Sequence, residues 1–395
     1  MKNLIIILTV LLSLALVFIP VGKQTEQAAE APAPDTAGTA ESVTAELPEF
    51  EIDGTTLVKY NGYGGEVTVP DGIEYIGEEA FWGSQVTKVV LPDTLRHLAS
   101  YSFWGCERLR EITLPASVED IEMNPDGSSY QAQVFAFNTS LEKIGVDPGN
   151  TKYREIDGVL YTMDGKTLLY YPAGKNRGGT YEIPEGTAEL GYSSINGAAL
   201  TSVTIPASLT GSVSNELKIK TLEEIILEPG NGAYSVKDGV LYTRDGETLV
   251  CYPCAKGPEK LEKQDFPAGL KRLGEWAFQN DTKLTEIELP EGLEEIGWMC
   301  FDWAESLRKV TLPASLRHID GYAFTDCQSL EDVVFLSPDV VIETVEESIF
   351  DRSPKVVIYG YDGSTADEYA QRFNIPFASL GPIPAGEEET EGAAE

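Results

Sequence analysis

Proline recurs in this chain with a period close to 23 residues, and no other feature restricts the fold as much. Pro70, Pro92 and Pro115 are 22 and 23 residues apart, Pro184 and Pro206 are 22 apart, and Pro267, Pro290 and Pro313 are 23 apart. The same pattern surrounds each one. Val67-Thr68-Val69-Pro70 leads to Ile73, Ile76, Gly77, Ala80 and Phe81. Ile287-Glu288-Leu289-Pro290 leads to Leu293, Ile296, Gly297, Cys300 and Phe301, and Val310-Thr311-Leu312-Pro313 leads to Leu316, Ile319, Ala323 and Phe324. Self-similarity at such a period marks a stacked-repeat architecture.

The physics of one unit is readable. The tripeptide before proline alternates apolar, polar, apolar, as a short strand with one buried face does. Proline ends the strand because it has no N–H to donate to a continuing ladder. A second apolar pair three residues apart follows, then an Ala-Phe step that sends one small and one large side chain inward. Gly83 or Gly105 turns the chain, and Leu109 or Leu307 opens the next unit. One such unit has no interior of its own, whereas stacked units bury a continuous one. The expected fold is a β-rich solenoid, a right-handed array of about ten units, roughly 50 Å long if parallel strands stack about 4.8 Å apart.

A longer element interrupts the array twice. Pro148-Gly149-Asn150, Tyr153, Asp157-Gly158-Val159-Leu160-Tyr161-Thr162 and Asp164-Gly165 return 81 residues later as Pro229-Gly230-Asn231, Tyr234, Asp238-Gly239-Val240-Leu241-Tyr242-Thr243 and Asp245-Gly246. Two apolar runs joined across Asp-Gly read as a β-hairpin, here expected to project from the side of the array. Asp53-Gly54-Thr55-Thr56-Leu57-Val58-Lys59-Tyr60 is a shortened version acting as an N-terminal cap. In the third unit an insertion near 124–133 delays Phe135.

Residues 4–21 are an 18-residue apolar run behind Lys2. That length suits both a signal peptide and a retained N-terminal membrane anchor, and either implies export. Ala29-Glu30-Ala31 has the small residues of a cleavage site, although Pro32 follows and would hinder the cut. The expected plan is a signal or anchor over 1–21, a disordered Ala/Glu/Pro/Thr linker over 22–48, and a solenoid over 49–380. Its hairpin insertions lie near 151–175 and 232–256, and an acidic disordered tail follows over 381–395.

The motif strand-Pro-x-x-[Ile/Leu]-x-x-Ile-Gly-x-x-Ala-Phe-x-[Gly/Asp]-Cys-x-x-Leu, completed by Ala323-Phe324-Thr325-Asp326-Cys327-Gln328-Ser329-Leu330, resembles the BspA-like leucine-rich repeats of bacterial surface proteins. The interleaved hairpins resemble that family too. So does Val356-Val357-Ile358-Tyr359-Gly360-Tyr361-Asp362-Gly363-Ser364-Thr365-Ala366 with the short helix after it, expected to cover the last open strand edge. The resemblance spans about 50–380. It implies a secreted or cell-surface bacterial protein that works in adhesion or protein recognition without catalysis or cofactor.

Composition narrows the chemistry. With 64 acidic and 29 basic residues the net charge is −35, which repels nucleic acid. Only two histidines are present, and His97 and His318 occupy the same outward repeat position, too far apart in an array to act together. No Ser-His or Cys-His nucleophile can be assembled, no phosphate-cradling glycine loop is present, and no metal site is read from the sequence. Cys106, Cys300 and Cys327 fall at core positions. Cys251 and Cys254 form one Cys-x-x-Cys, which reads either as a local disulfide in an oxidising compartment or as two free thiols.

The binding candidates are ladders of equivalent side chains. The outward residue of each first strand is Thr68, Val90, Thr113, Thr204, Glu288 or Thr311, a flat and moderately polar face. Trp82 and Trp104 share one position in adjacent units and form either a platform for a sugar or partner side chain, or a cover for the first units. Trp276, Met299 and Tyr322 form a third ladder, expected to be partly exposed. The expected partner is an extracellular protein, a host matrix or surface protein, with a glycan or a purely structural spacer role as alternatives.

Overall fold

The computed structural model describes residues 48–121, 134–344 and 347–384. The apolar N-terminal run, the linker up to 47, the insertion at 122–133 and the acidic tail from 385 lie outside the described residues. Residues from 48 onward belong to one compact unit.

Each repeat contributes two strands to two different parallel ladders. The strand before the proline is the longer. Gly65–Thr68, Val86–Val90, Glu111–Leu114 and Lys143–Val146 form a four-stranded sheet. Thr180–Glu182, Ser202–Ile205 and Glu224–Leu227 form a three-stranded one. Lys260–Leu261, Glu286–Glu288, Lys309–Leu312, Asp332–Phe335, Val357–Asp362 and Phe377–Pro382 form a six-stranded one. The second strand is two residues long, as in Tyr75–Ile76, His97–Leu98 and Asp120–Ile121, and pairs in register with its equivalents on neighbouring turns. The solenoid makes about 14 turns at a spacing of about 23 residues. The number exceeds ten because turns such as Lys143–Val146 and Asp332–Phe335 lack a proline directly after the strand.

Proline does more than stop the ladder. Its carbonyl accepts the N–H of the buried residue three positions on, from Leu95 to Pro92 at 3.0 Å and from Leu316 to Pro313 at 3.1 Å. Its fixed φ starts the turn that swings the chain from the first sheet to the second. The Ala-Phe step then closes the section. Phe81 N–H donates to the Ser102 carbonyl of the next turn at 2.8 Å, and Phe278 N–H to that of Cys300 at 2.8 Å. Aromatic rings consequently pile up along the axis. Tyr60, Phe81, Phe103, Phe135 and Tyr170 form one column, with neighbouring centroids 4.8–5.9 Å apart. Tyr252, Phe278, Phe301, Phe324, Phe350 and Tyr369 form a second, 4.9–6.3 Å apart.

The inserted elements differ from the expectation. Each is a three-stranded antiparallel meander, Tyr153–Ile156, Val159–Thr162 and Thr167–Tyr170, then Tyr234–Lys237, Val240–Thr243 and Thr248–Cys251. They do not project from the side. The last strand of each joins the parallel ladder of the following turn, Thr167–Tyr170 with Glu189–Leu190 and Thr248–Cys251 with Arg272–Leu273. The second and third strands of each are largely apolar on both faces and buried on both, whereas the first carries polar residues and stays partly exposed. Leu160 and Tyr170 face the first core cluster, while Val159, Tyr161, Leu168 and Tyr171 face the middle one. Leu241, Val250 and Cys251 face the middle cluster, while Val240, Tyr242, Leu249 and Tyr252 face the last. The meanders are partitions that divide the interior into three clusters, where repetition alone implied one. Asn150 and Asn231 lock them to the preceding turn. Each buried amide donates to two carbonyls, Pro115 and Val118 or Pro206 and Leu209, and accepts two backbone N–H groups at 2.8–3.0 Å.

The two ends also differ in detail. The N-terminal cap is the hairpin Phe50–Asp53 and Thr56–Tyr60, whose second strand pairs with Tyr75–Ile76 as each meander does with its following turn. At the other end the helix Thr365–Phe373, capped by Ser364, buries Ala366, Tyr369 and Ala370 against the last cluster. Tyr369 Oη accepts the Ile349 N–H at 2.8 Å. The helix thus closes the end of the core, whereas the sheet edge is extended by the strand Phe377–Pro382, which runs past the expected boundary at 380.

Candidate binding surface

Alternation along the first strand turns Val67 and Val89 inward and leaves the residues beside them on the surface. Thr68 lies opposite Val90, and Thr113 opposite Gly145, all in the first sheet. Thr204 stands between Glu182 and Ile226 in the middle sheet. Glu288 lies opposite Thr311, which faces Val334 in the last sheet. Thr68, Val90 and Thr113 are exposed, and Thr204, Glu288 and Thr311 are half-buried. The expected ladders exist within each sheet, and the meanders interrupt them between sheets.

Two residues earlier on the same strands runs a ladder that the sequence reading missed. Glu66, Lys88, Glu111 and Lys143 are successive cross-strand neighbours, as are Lys260, Glu286, Lys309 and Asp332. Opposite charges alternate along both, and Lys260 Nζ lies 2.6 Å from Glu286 Oε1. The signal was legible one period at a time, as Lys or Glu two residues before the outward position. Beside the first ladder is an open recess of about 650 Å³ lined by charge, including Lys88, Arg110, Lys143, Glu155 and Lys175. Of its carboxylates, Glu155 lies 3.4 Å from Lys143 and Asp157 3.0 Å from Lys175, so the recess mixes both signs of charge.

Trp82 and Trp104 stack at 5.6 Å and 26°. Two further rings that the sequence reading missed join them. Phe137 packs 4.5 Å from Trp104, and Tyr101 contacts both tryptophans at 6.1 and 5.2 Å. Trp82 and Phe137 are each 46% exposed. Phe137 stands where Gly83 and Gly105 stand in the preceding units and shares their left-handed backbone at φ 60°. The insertion at 122–133 hides that equivalence in the sequence.

The third ladder is only partly on the surface. Trp276 and Met299 are half-buried, but Tyr322 is 6% exposed and packs edge-on against Trp298 at 4.9 Å. Tyr322 is therefore removed from the exposed face. The turn also explains the recurrence, because all three residues have left-handed φ between 51° and 59°.

Cys251 and Cys254 are not joined. Both are free and buried, Cys251 with Sγ 3.7 Å from the Leu217 carbonyl and Cys254 with Sγ 3.3 Å from that of Gln279. Cys251 ends a strand that faces the middle cluster, and Cys254 lies beyond Pro253 with a different hydrogen-bond acceptor. Burial raises both thiols, Cys254 to about 12, which removes the reactive thiolate. Cys106, Cys300 and Cys327 are buried as expected.

His97 and His318 are half-buried surface residues, as expected. His97 stacks on Tyr75 at 4.5 Å and 11°. His318 has carboxylates on both sides, Asp320 Oδ1 at 2.8 Å and Glu343 Oε1 at 3.7 Å from Nε2. Their ligand-type atoms all lie within 4.8 Å of one another, the one such group of three among the described residues. Elsewhere burial raises the carboxyls of Glu216 and Asp302 to about 7 each, and that of Asp281 to about 6. They sit apart in separate turns and line no cleft together.

The model of the BspA type leucine rich repeat region matches residues 60–152 and 254–361 in six copies, just over half of the chain. The chain belongs to this family. Among solved structures it is similar to a leucine rich cell surface protein from Faecalibacterium prausnitzii, at 18% identity over 86% of this chain and 99% of that one, with a TM-score of 0.47. A leucine-rich repeat protein from Eubacterium ventriosum is 17% identical over 82% of this chain and 78% of that one, with a TM-score of 0.45. The pneumococcal vaccine antigen PcpA is 19% identical over 86% and 88%, with a TM-score of 0.40. No curated protein matches the chain. As a BspA-type array, the chain offers broad, repetitive surface. No helix among the described residues is long and apolar enough to cross a membrane.

Proposed function

We infer that this is a non-catalytic binding protein, exported to the bacterial surface, that holds another extracellular protein by its N-terminal turns. The observation that carries this reading is the row Trp82, Trp104 and Phe137. Three large rings from three successive turns lie outside the core column, with half-buried Trp104 in contact with Trp82 on one side and Phe137 on the other, both exposed. The core does not need them, since Phe81, Phe103 and Phe135 already fill it. Buried aromatic anchors supply most of the energy in protein interfaces. The flat Thr68–Val90–Thr113 ladder adds area on the sheet of the same turns.

A glycan is the second reading, favoured by the near-parallel stacking of Trp82 on Trp104, since a sugar ring packs against a flat aromatic face. One experiment separates the two. The full-length chain is tested for binding to matrix proteins and, by tryptophan fluorescence, to a panel of sugars, alongside Trp82→Ala and Phe137→Ala. Matrix-protein binding that both substitutions weaken at least tenfold supports protein recognition. Sugar-induced quenching lost only in Trp82→Ala favours glycan. Binding to neither leaves a structural spacer and removes the inference.

A further inference from the structure

We propose that His318, Asp320 and Glu343 hold a divalent transition-metal ion, zinc or manganese, on the outer side of the second sheet. The His318 imidazole nitrogen Nε2 carries at most one hydrogen. Asp320 Oδ1 takes it at 2.8 Å, yet Glu343 Oε1 turns to the same nitrogen at 3.7 Å with no hydrogen left for it. No other hydrogen bond or ion pair holds either carboxylate among the described residues, and two like charges converge on one atom. A cation resolves that arrangement. Bonds of about 2.0–2.2 Å to nitrogen and oxygen separate neighbouring ligand atoms by roughly 3–3.5 Å. The two gaps from the imidazole, 2.8 and 3.7 Å, bracket that range, and all three ligand atoms lie within 4.8 Å of one another, so side-chain movements that draw the two carboxylates in complete the site.

The repeat explains why the site occurs here. Asp320 and Glu343 occupy one ladder position, and their N–H groups bond to Ile296 and Ile319 as those of Gly274 and Gly297 bond to Leu249 and Leu273. A Cβ at Gly297 would lie 2.8 Å from the Glu275 nitrogen, so that turn admits no side chain. The ladder opens to side chains only at the last two positions, beside one of the two histidines in the chain. His97 is a built-in control. It has the same repeat position, but Ala99 stands two residues on, and its nearest carboxylate, Asp120, is 3.9 Å away.

Imidazole with two carboxylates favours a borderline transition ion over calcium or magnesium, which prefer oxygen alone. Half-exposure leaves the remaining coordination positions to water. So acidic a chain also attracts divalent ions loosely, and the test must remove that background. Metal-free full-length chain is titrated calorimetrically with zinc in millimolar calcium, and with manganese in parallel. One saturable zinc site per chain is expected, with manganese weaker. His318→Ala and Glu343→Gln each weaken zinc binding at least about tenfold, while His97→Ala leaves it unchanged. Both altered positions are solvent-accessible, and unchanged circular dichroism confirms folding. Zinc binding equal in wild type and His318→Ala, or no saturable site in the wild type, overturns the proposal and leaves only loose ions on an acidic surface.

Discussion

From Tyr60 to Tyr170, and again from Tyr252 to Tyr369, the interior is a column of rings about 5–6 Å apart. Between the columns the core holds Ile195, Leu200, Val203, Leu217 and Ile219, with Tyr171 and Tyr181 packed at one end. There Ser194-Ile195 replaces the Ala-Phe step, and the following turn buries Glu216 and Lys218, whose ammonium donates to the Trp276 carbonyl. In the columns the rings keep a nearly constant spacing in space even where the chain between them lengthens, as it does from Phe103 to Phe135. The aliphatic middle turns keep their register without rings, Tyr181, Val203 and Ile225 being successive cross-strand neighbours. The family match follows the same division, covering both columned regions and skipping 153–253. The family match thus tracks the Ala-Phe ring step, not the solenoid as such.

The sharpest way to break this comparison is to remove one ring. Phe301 is stacked between Phe278 and Phe324 at 4.9 and 5.0 Å. Phe301→Ala is expected to cost about 3–5 kcal/mol in urea unfolding and Ile195→Ala, within the range of about 2–5 kcal/mol, less than Phe301→Ala. Equal losses would deny the column any special role.

A smaller effect tests the buried acids. Burial raises the Asp302 carboxyl to about 7, against a hydrogen bond from Gln279 that lowers it. The folded chain therefore keeps a proton that the unfolded chain gives up near pH 4. Stability from this group is highest below pH 4 and falls as pH climbs through 7. Asp302→Asn should stabilise the fold at pH 8 by on the order of a few kcal/mol, seen as a higher melting temperature, and change little at pH 4. Glu216, also raised to about 7 by burial, should give the same signature for Glu216→Gln in the middle region. A gain independent of pH in either variant would refute the account for that region.

The smallest effect concerns the charge ladders, which flank but do not enter the middle sheet. Lys309→Glu puts like charge beside Glu286 and Asp332, and should cost about 0.5–1 kcal/mol, less at high salt. Thr180→Glu, whose ladder neighbour is Ser202, should cost almost nothing. A larger loss at Thr180 would show that the ladders do not set register in the outer sheets.

The repeat unit, its inward phenylalanines, the outward threonines and the stacked tryptophans were all legible, because each depends on periodicity and local alternation. The partitioning meanders were seen as hairpins but misplaced, since Val159-Leu160-Tyr161 is equally apolar whether it projects or divides a core. The Phe137 ring was hidden by an insertion, and the free state of Cys251 and Cys254 by the carbonyls of Leu217 and Gln279, which each thiol meets only in the fold. His318 was read as an outward surface residue, and Asp320 and Glu343 were visible only as polar residues on two turns.

By itself, then, the sequence determined the repeating cross-section, because period, strand alternation and turn residues act over fewer than two dozen positions. Only the tertiary structure decided where the interior is divided, which rings reach solvent and which carboxylates share an imidazole. Those outcomes depend on the registration of one turn against the next, an interaction between segments that no single repeat contains.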